Sequence, residues 1–167
     1  MKKVYLAKLS LCLAFALVMP LPSWAEGKTV RTISISQAAG TNAKLQTVHL
    51  WPGHGVSISF YPTQEIIKKV WLDDPSQIVF DVDGCLEGLG NSDCDNPGAG
   101  LIHLRQINKL KIPGMPAATN GAQLTVITET GRDRNAGVRS ADRKHYHFRI
   151  VMGSGKPQYQ KILASTI

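Results

Sequence analysis

The chain reads as an all-β protein, a single small β-sandwich of about eight or nine mostly antiparallel strands that follows a cleaved signal peptide. Three observations carry that expectation. Short runs rich in β-branched and aromatic residues recur along the sequence; Gly, Pro, Asn and Asp interrupt them in "PGHG", "DDPS", "NPGAG" and "PGMPAATNG"; and no apolar pattern of helical period extends beyond about two turns.

The N-terminus comes first. Lys2, Lys3 and Lys8 precede the apolar run "LSLCLAFALVM", and "PLPSWA" then supplies prolines with small residues at Ser23 and Ala25. A basic start, a short apolar stretch and a small-residue cleavage site form a secretory signal, here residues 1–25. The apolar run is short for a membrane span, and no later segment has the length to cross a bilayer. Residues 26–45, "EGKTVRTISISQAAGTNAK" with the following Leu, are polar enough to serve as a partly ordered lead-in. The sandwich is then expected over residues 46–167.

The candidate strands follow in order. "TVRTISIS" (29–36) alternates weakly, whereas "LQTVHLW" (45–51) and "GVSISFY" (55–61) alternate clearly around the turn "PGHG". "IIKKVWL" (66–72) and "QIVFDV" (77–82) flank the Pro-containing turn "DDPS". "LIHLRQINKL" (101–110), "QLTVITE" (123–129), "KHYHFRIVM" (144–152) and "QYQKIL" (158–163) complete the set. Lys68 and Lys69 are the kind of charge that discourages edge-to-edge aggregation.

Cysteine usage agrees with export. Cys12 lies in the signal, leaving Cys85 and Cys94 in "CLEGLGNSDC". In an oxidising compartment such a pair is expected to form a disulfide that closes a short surface loop, worth roughly 2–3 kcal/mol on loop-entropy models. Two thiols at that spacing make no zinc site.

Removing the three signal lysines lowers the formal charge from +7 to +4. Much of the excess sits in "GRDRNAGVRSADRK", where Arg132, Arg134, Arg139 and Arg143 stand against Asp133 and Asp142. The segment reads as a solvated hairpin loop, or as a patch for lipid headgroups, a glycan polymer or an acidic partner. No aromatic residues are interleaved for base stacking, so no nucleic-acid partner is expected.

Three constellations bear on chemistry. "IVFDVDG" looks locally like the Asp-x-Asp-Gly of dehalogenase-type phosphatases, but the alternating strand and helix that such a site needs do not follow it, nor do the ligands of a calcium loop. Asp81 and Asp83 instead read as one face of a strand end, with Gly84 opening the turn. His145 and His147 share one side of a strand opposite Tyr146 and Phe148; they are the weak candidates for a metal, and two exposed strand histidines is the plainer reading. Ser57 and Ser59 sit mid-strand rather than on an exposed elbow. No catalytic residue and no cofactor is expected.

Two resemblances give the chain a function. "GHGVSISFYPTQEIIKKVWLDDPSQIVFD", "ATNGAQLTVITET" and "KHYHFRIVMGSGKP" resemble strands of the N-terminal β-domain of the TrbG/CagX family, subunits of the outer-membrane core in conjugation and type IV secretion. The likeness spans about Thr47 to Pro157. It implies a periplasmic module that works by assembly with protein partners of the cell envelope. Family members continue into a second β-domain, so this chain reads as a stand-alone inner-layer domain. The stretch 85–100 and the basic loop are additions to the family pattern.

"VWLDDPSQIVFDVDG" is also similar to a strand pair of AMIN-type periplasmic domains, which implies peptidoglycan or a pilus secretin as partner; Gln77 stands where that pattern has a basic residue. The third reading is a periplasmic metal-dependent hydrolase built on the histidine pair. Under the assembly reading the candidate contacts are Trp51, His54, Trp71, Arg132, Arg134, Arg139 and Arg143, since aromatic and arginine side chains anchor interfaces; a tryptophan buried in the core is an equal reading of Trp51 and Trp71. The expected location is the periplasm or the exterior, associated with the outer membrane through partners.

Overall fold

The computed structural model describes residues 29–86, 98–116, 121–130 and 142–166. All nine runs form strands. They are β1 (Val30–Ser34), β2 (Gln46–Leu50), β3 (Gly55–Ser59), β4 (Glu65–Leu72), β5 (Ile78–Val82), β6 (Leu101–Gln106), β7 (Ala122–Thr130), β8 (Arg143–Met152) and β9 (Lys161–Ser165). The helical elements among the described residues are one turn, α1 (Ile35–Ala38), and one 3₁₀ turn at Tyr61–Thr63.

The strands form two sheets in the orders β1-β9-β3-β6-β5 and β2-β8-β7-β4. The protein is therefore an all-β, sandwich-like fold. Both sheets are mixed. β3 with β6, β5 with β6, β4 with β7, and β7 with β8 are antiparallel. β1 and β3 run parallel to β9, and β2 runs parallel to β8.

Side-chain alternation builds the core, because residues two apart share a face. In the five-stranded sheet Val56, Ile58, Ile102, Leu104 and Ile162 turn inward; in the other, Val48, Leu50, Leu124, Val126, Tyr146, Phe148 and Ile150 do. Phe60, just past β3, meets Tyr146 edge to face at 4.9 Å, so aromatic packing bridges the two layers.

Two expectations change here. The lead-in 26–45 contains β1, which pairs with β9 from Val30↔Lys161 to Ser34↔Ser165. The sheet thus begins before residue 46, because a polar stretch with one inward residue, Ile33, suffices for an edge strand. Trp51 is the second correction. It is 3% exposed and lies edge to face on Tyr159 at 5.1 Å. A Cβ at Gly153 would come within 2.7 Å of the Trp51 Nε1, so the missing side chain there makes room for the indole. Trp51 is a core residue, not a contact.

Candidate interaction surface

β4 forms one lateral edge of its sheet. Its sequence breaks strict alternation, since Ile67 and Val70 must both face inward across Lys68 and Lys69. A bulge between Ile67 and Lys69 in the pairing with β7 resolves the conflict. Ile67 and Val70 are buried, and Trp71 is turned outward, 48% exposed, with Lys69 Nζ 5.1 Å from its ring centroid.

The outward side of β4 is engaged at Ile67. There Ile67 N donates to Ala99 O at 2.7 Å and Ala99 N donates to Ile67 O at 3.1 Å, an isolated antiparallel bridge. The segment making it is pinned by Asp83, whose Oδ1 accepts from Gly100 N at 2.9 Å and Leu101 N at 3.0 Å. Asp83 Oδ2 accepts a short hydrogen bond from the Tyr61 hydroxyl. That carboxylate holds the Tyr61 phenol above its ordinary value.

Beside the bridge lies a groove of about 330 Å³, lined by Tyr61, Ile66, Lys68, Asp83 and the backbone at 98–100. Tyr61 is 63% exposed and Ile66 39%. With Trp71 they put three large apolar side chains along one edge.

The floor is firm. Glu65, 2% exposed, accepts from Thr128 Oγ1 at 2.8 Å and Tyr146 OH at 2.7 Å through Oε2, and from Lys144 Nζ at 2.7 Å through Oε1. Burial, then the Glu65 hydrogen bond and charge, push the Tyr146 phenol far above its ordinary value.

The opposite edge differs. On β2 the carbonyl of Thr47 accepts from Arg31 at 2.5 Å, and the amide of His49 donates to Tyr159 OH at 2.8 Å. Side chains from outside the sheet thus occupy backbone groups of that edge.

The other expected residues fall in separate places. His54 is exposed in the β2–β3 turn, and β2 stands at the far edge of the sheet from β4. Arg143 opens β8 and donates from Nε to Glu129 Oε1 at 2.7 Å. Arg132, Arg134 and Arg139 lie outside the described residues, in the connection between the antiparallel neighbours β7 and β8. Cys85 is disulfide-bonded; Cys94 lies outside the described residues.

His145 and His147 face outward beside each other, ring centroids 5.4 Å apart, and His147 Nδ1 lies 3.2 Å from Thr125 Oγ1. Among the described residues no group of three or more His, Cys, Asp or Glu side chains converges to hold a metal. Ser57 Oγ lies 2.9 Å from His103 Nδ1 on the outward face of the five-stranded sheet. No helix among the described residues is long and apolar enough to cross a membrane.

Tyr61, Ile66 and Glu65 were not singled out from the sequence. The signal for Glu65 was there, an acidic residue at the start of an apolar strand, but its three partners are far away in sequence. No protein-family model matches the chain, and no curated protein matches it.

Proposed function

We propose that the chain is an exported, non-enzymatic assembly module of a cell-envelope apparatus of the conjugation or type IV secretion kind. The observation that carries this reading is Trp71, half-exposed on an edge strand that also carries the exposed Ile66. Trp51 shows what this fold does with a tryptophan it needs for its core. A large aromatic left outward beside an edge is the usual anchor of a protein contact. The signal pattern and the disulfide at Cys85 support an oxidising, extracytoplasmic compartment. The sandwich is also the fold that the TrbG/CagX resemblance implies.

The test is the native size of the tagged protein, gently solubilised from the cell that encodes it and crosslinked before a sizing column. Migration in a large envelope assembly, lost on Trp71→Ala, is the expected result. A small soluble species would overturn it; one that sediments with purified cell wall would favour the AMIN-type partner instead.

A further inference from the structure

We infer that the β4 edge pairs with the β4 edge of a second copy of this chain, antiparallel and centred on Trp71, so that the sheets of both copies run on into one. This rests on the assembly reading and names the partner at that edge.

The backbone sets the geometry. Asp73 N donates to Gln123 O on β7 at 3.0 Å. By the alternation of a strand, Lys69 and Trp71 also turn their amides and carbonyls toward β7, while Val70 and Leu72 turn theirs to the outer side. Within the described chain no strand pairs with β4 on that side. The bridge to Ala99 closes it at Ile67, and the turn "DDPS" ends it after Leu72. Val70 and Leu72 are thus the residues whose backbone is open to a new ladder.

The order of the side chains, not the net charge of the edge, chooses the occupant. Asp83 and Asp74 flank the edge, but both carboxylates are engaged. Asp83 accepts from Tyr61, Gly100 and Leu101, and Asp74 Oδ1 accepts from Ser76 N at 2.8 Å with Lys109 nearby. Lys68 is engaged within its own chain. That leaves Lys69, over the Trp71 ring, and the exposed Asp73. Lys69, Trp71 and Asp73 are each two apart, so they stand on the outward face together. Run antiparallel to itself, that order is self-complementary, with a lysine at one end, a carboxylate at the other and the indole between them.

Register decides the match. Antiparallel pairing through the open backbone can set Val70 against Val70, Val70 against Leu72, or Leu72 against Leu72. The first puts Lys69 opposite Trp71, and the last puts Trp71 opposite Asp73. Val70 against Leu72 puts each Lys69 opposite the other copy's Asp73, a favourable cross-strand pair. It also sets Trp71 against Trp71 at a site without backbone bonds, where facing side chains lie closest. A foreign strand needs its own acid and aromatic at this spacing, whereas a second copy brings both by symmetry. Such a contact is isologous, so it closes as a dimer.

The test is sedimentation of the purified exported protein over a range of concentrations, with charge swaps at the paired positions. A concentration-dependent equilibrium between monomer and dimer is expected, weaker at high salt. Lys69→Glu and Asp73→Lys should each weaken the dimer about tenfold, because each sets like charges opposite one another at both symmetric sites. Combining them in one chain should restore it. Mixing the two single variants should give a heterodimer tighter than either variant forms with itself, which a loss of folding would not produce. Trp71→Cys should form an intermolecular disulfide, since facing Cα atoms at such a site lie about 4.5 Å apart. Gln123→Cys, outward on β7, should not. A protein that stays monomeric throughout, or a double variant no better than the single ones, would overturn the inference. So would crosslinking of position 71 to a different protein in the native envelope, which makes that protein the occupant. A native assembly lost on Trp71→Ala, with the purified protein monomeric, would sink the second copy and leave the assembly reading standing. A purified dimer without any larger native assembly would do the reverse.

Discussion

Lys144 on β8 reaches past β7 to place its ammonium 2.7 Å from Oε1 of Glu65, a carboxylate buried at the start of β4. Thr128 on the intervening strand and Tyr146 on β8 complete the shell of donors. One side chain from an edge strand is thus tied to the next two strands of its sheet.

Glu65→Ala removes the acceptor that three donors share. Tyr146 and Thr128 would be left as buried hydroxyls without a partner, and breaking a buried pair in this way typically costs about 3 kcal/mol or more. Thr128→Val, which removes one donor and keeps the volume, should cost about 1 kcal/mol. Urea unfolding of both variants checks the order; equal losses would mean that the carboxylate is not the hub.

Alkaline pH tests the same cluster from Tyr146. Its folded-state phenol is held well above the ordinary value of 10.0. Above about pH 10 the unfolded chain releases a proton that the folded chain keeps, so stability falls as pH rises, at up to roughly 1.4 kcal/mol per pH unit for such a group. Below that pH its contribution is fully present. Tyr146→Phe should start from lower stability, through loss of the Glu65 hydrogen bond, and should show a shallower decline above pH 10. An unchanged slope would show that other groups carry the alkaline loss.

The loop opening at Cys85 is joined to the edge through backbone. Gly98 N donates to Cys85 O at 2.7 Å, and the next residue, Ala99, bridges to Ile67. Reduction, or Cys94→Ser, should lower stability by about 2–3 kcal/mol and raise amide exchange at Ile67. Free thiol detected in the oxidised protein, with no change in melting temperature, would remove the disulfide from the account.

Gly84 tests the same corner sterically. A Cβ there would overlap the carbonyl oxygen of Gly98 and crowd Ala99 Cα at 3.3 Å. Backbone cannot swing aside as a flexible side chain does, so Gly84→Ala is expected to cost about 2 kcal/mol or more. Gly98→Ala meets only the Ile66 Cγ2 at 2.6 Å. It should cost less, and thermal melts of the two variants decide the comparison.

The strands were legible because each carries its own apolar run, and the outward stance of His145 and His147 followed from period two alone. The pairing was not. β1, β2 and β3 find parallel partners in β9 and β8, more than 100 residues later, and nothing local encodes that choice. β1 was expected as a strand but set in a lead-in outside the sandwich, because only its partner β9 shows that it belongs to the sheet. Asp83 was noticed for a motif, yet it acts as a latch on Gly100, Leu101 and Tyr61, which only the tertiary arrangement reveals. In β4, strict alternation would put Ile67, Lys69 and Trp71 on one face; the bulge separates them, and the only local trace of it is the pair of lysines between Ile67 and Val70.

Trp51 and Trp71 draw these threads into the last prediction. Trp51 is buried against Tyr159 and Gly153, so Trp51→Ala should open a cavity and cost about 3–5 kcal/mol. Trp71 is outward with Lys69 over its ring, so Trp71→Ala should change stability by less than about 1 kcal/mol. Partner capture, measured by crosslinking in the native envelope, should follow the opposite order once both proteins are compared at temperatures where each is folded. If Trp71→Ala instead unfolds the protein, or leaves capture intact, the β4 edge is only a surface of the fold and the assembly contact lies elsewhere.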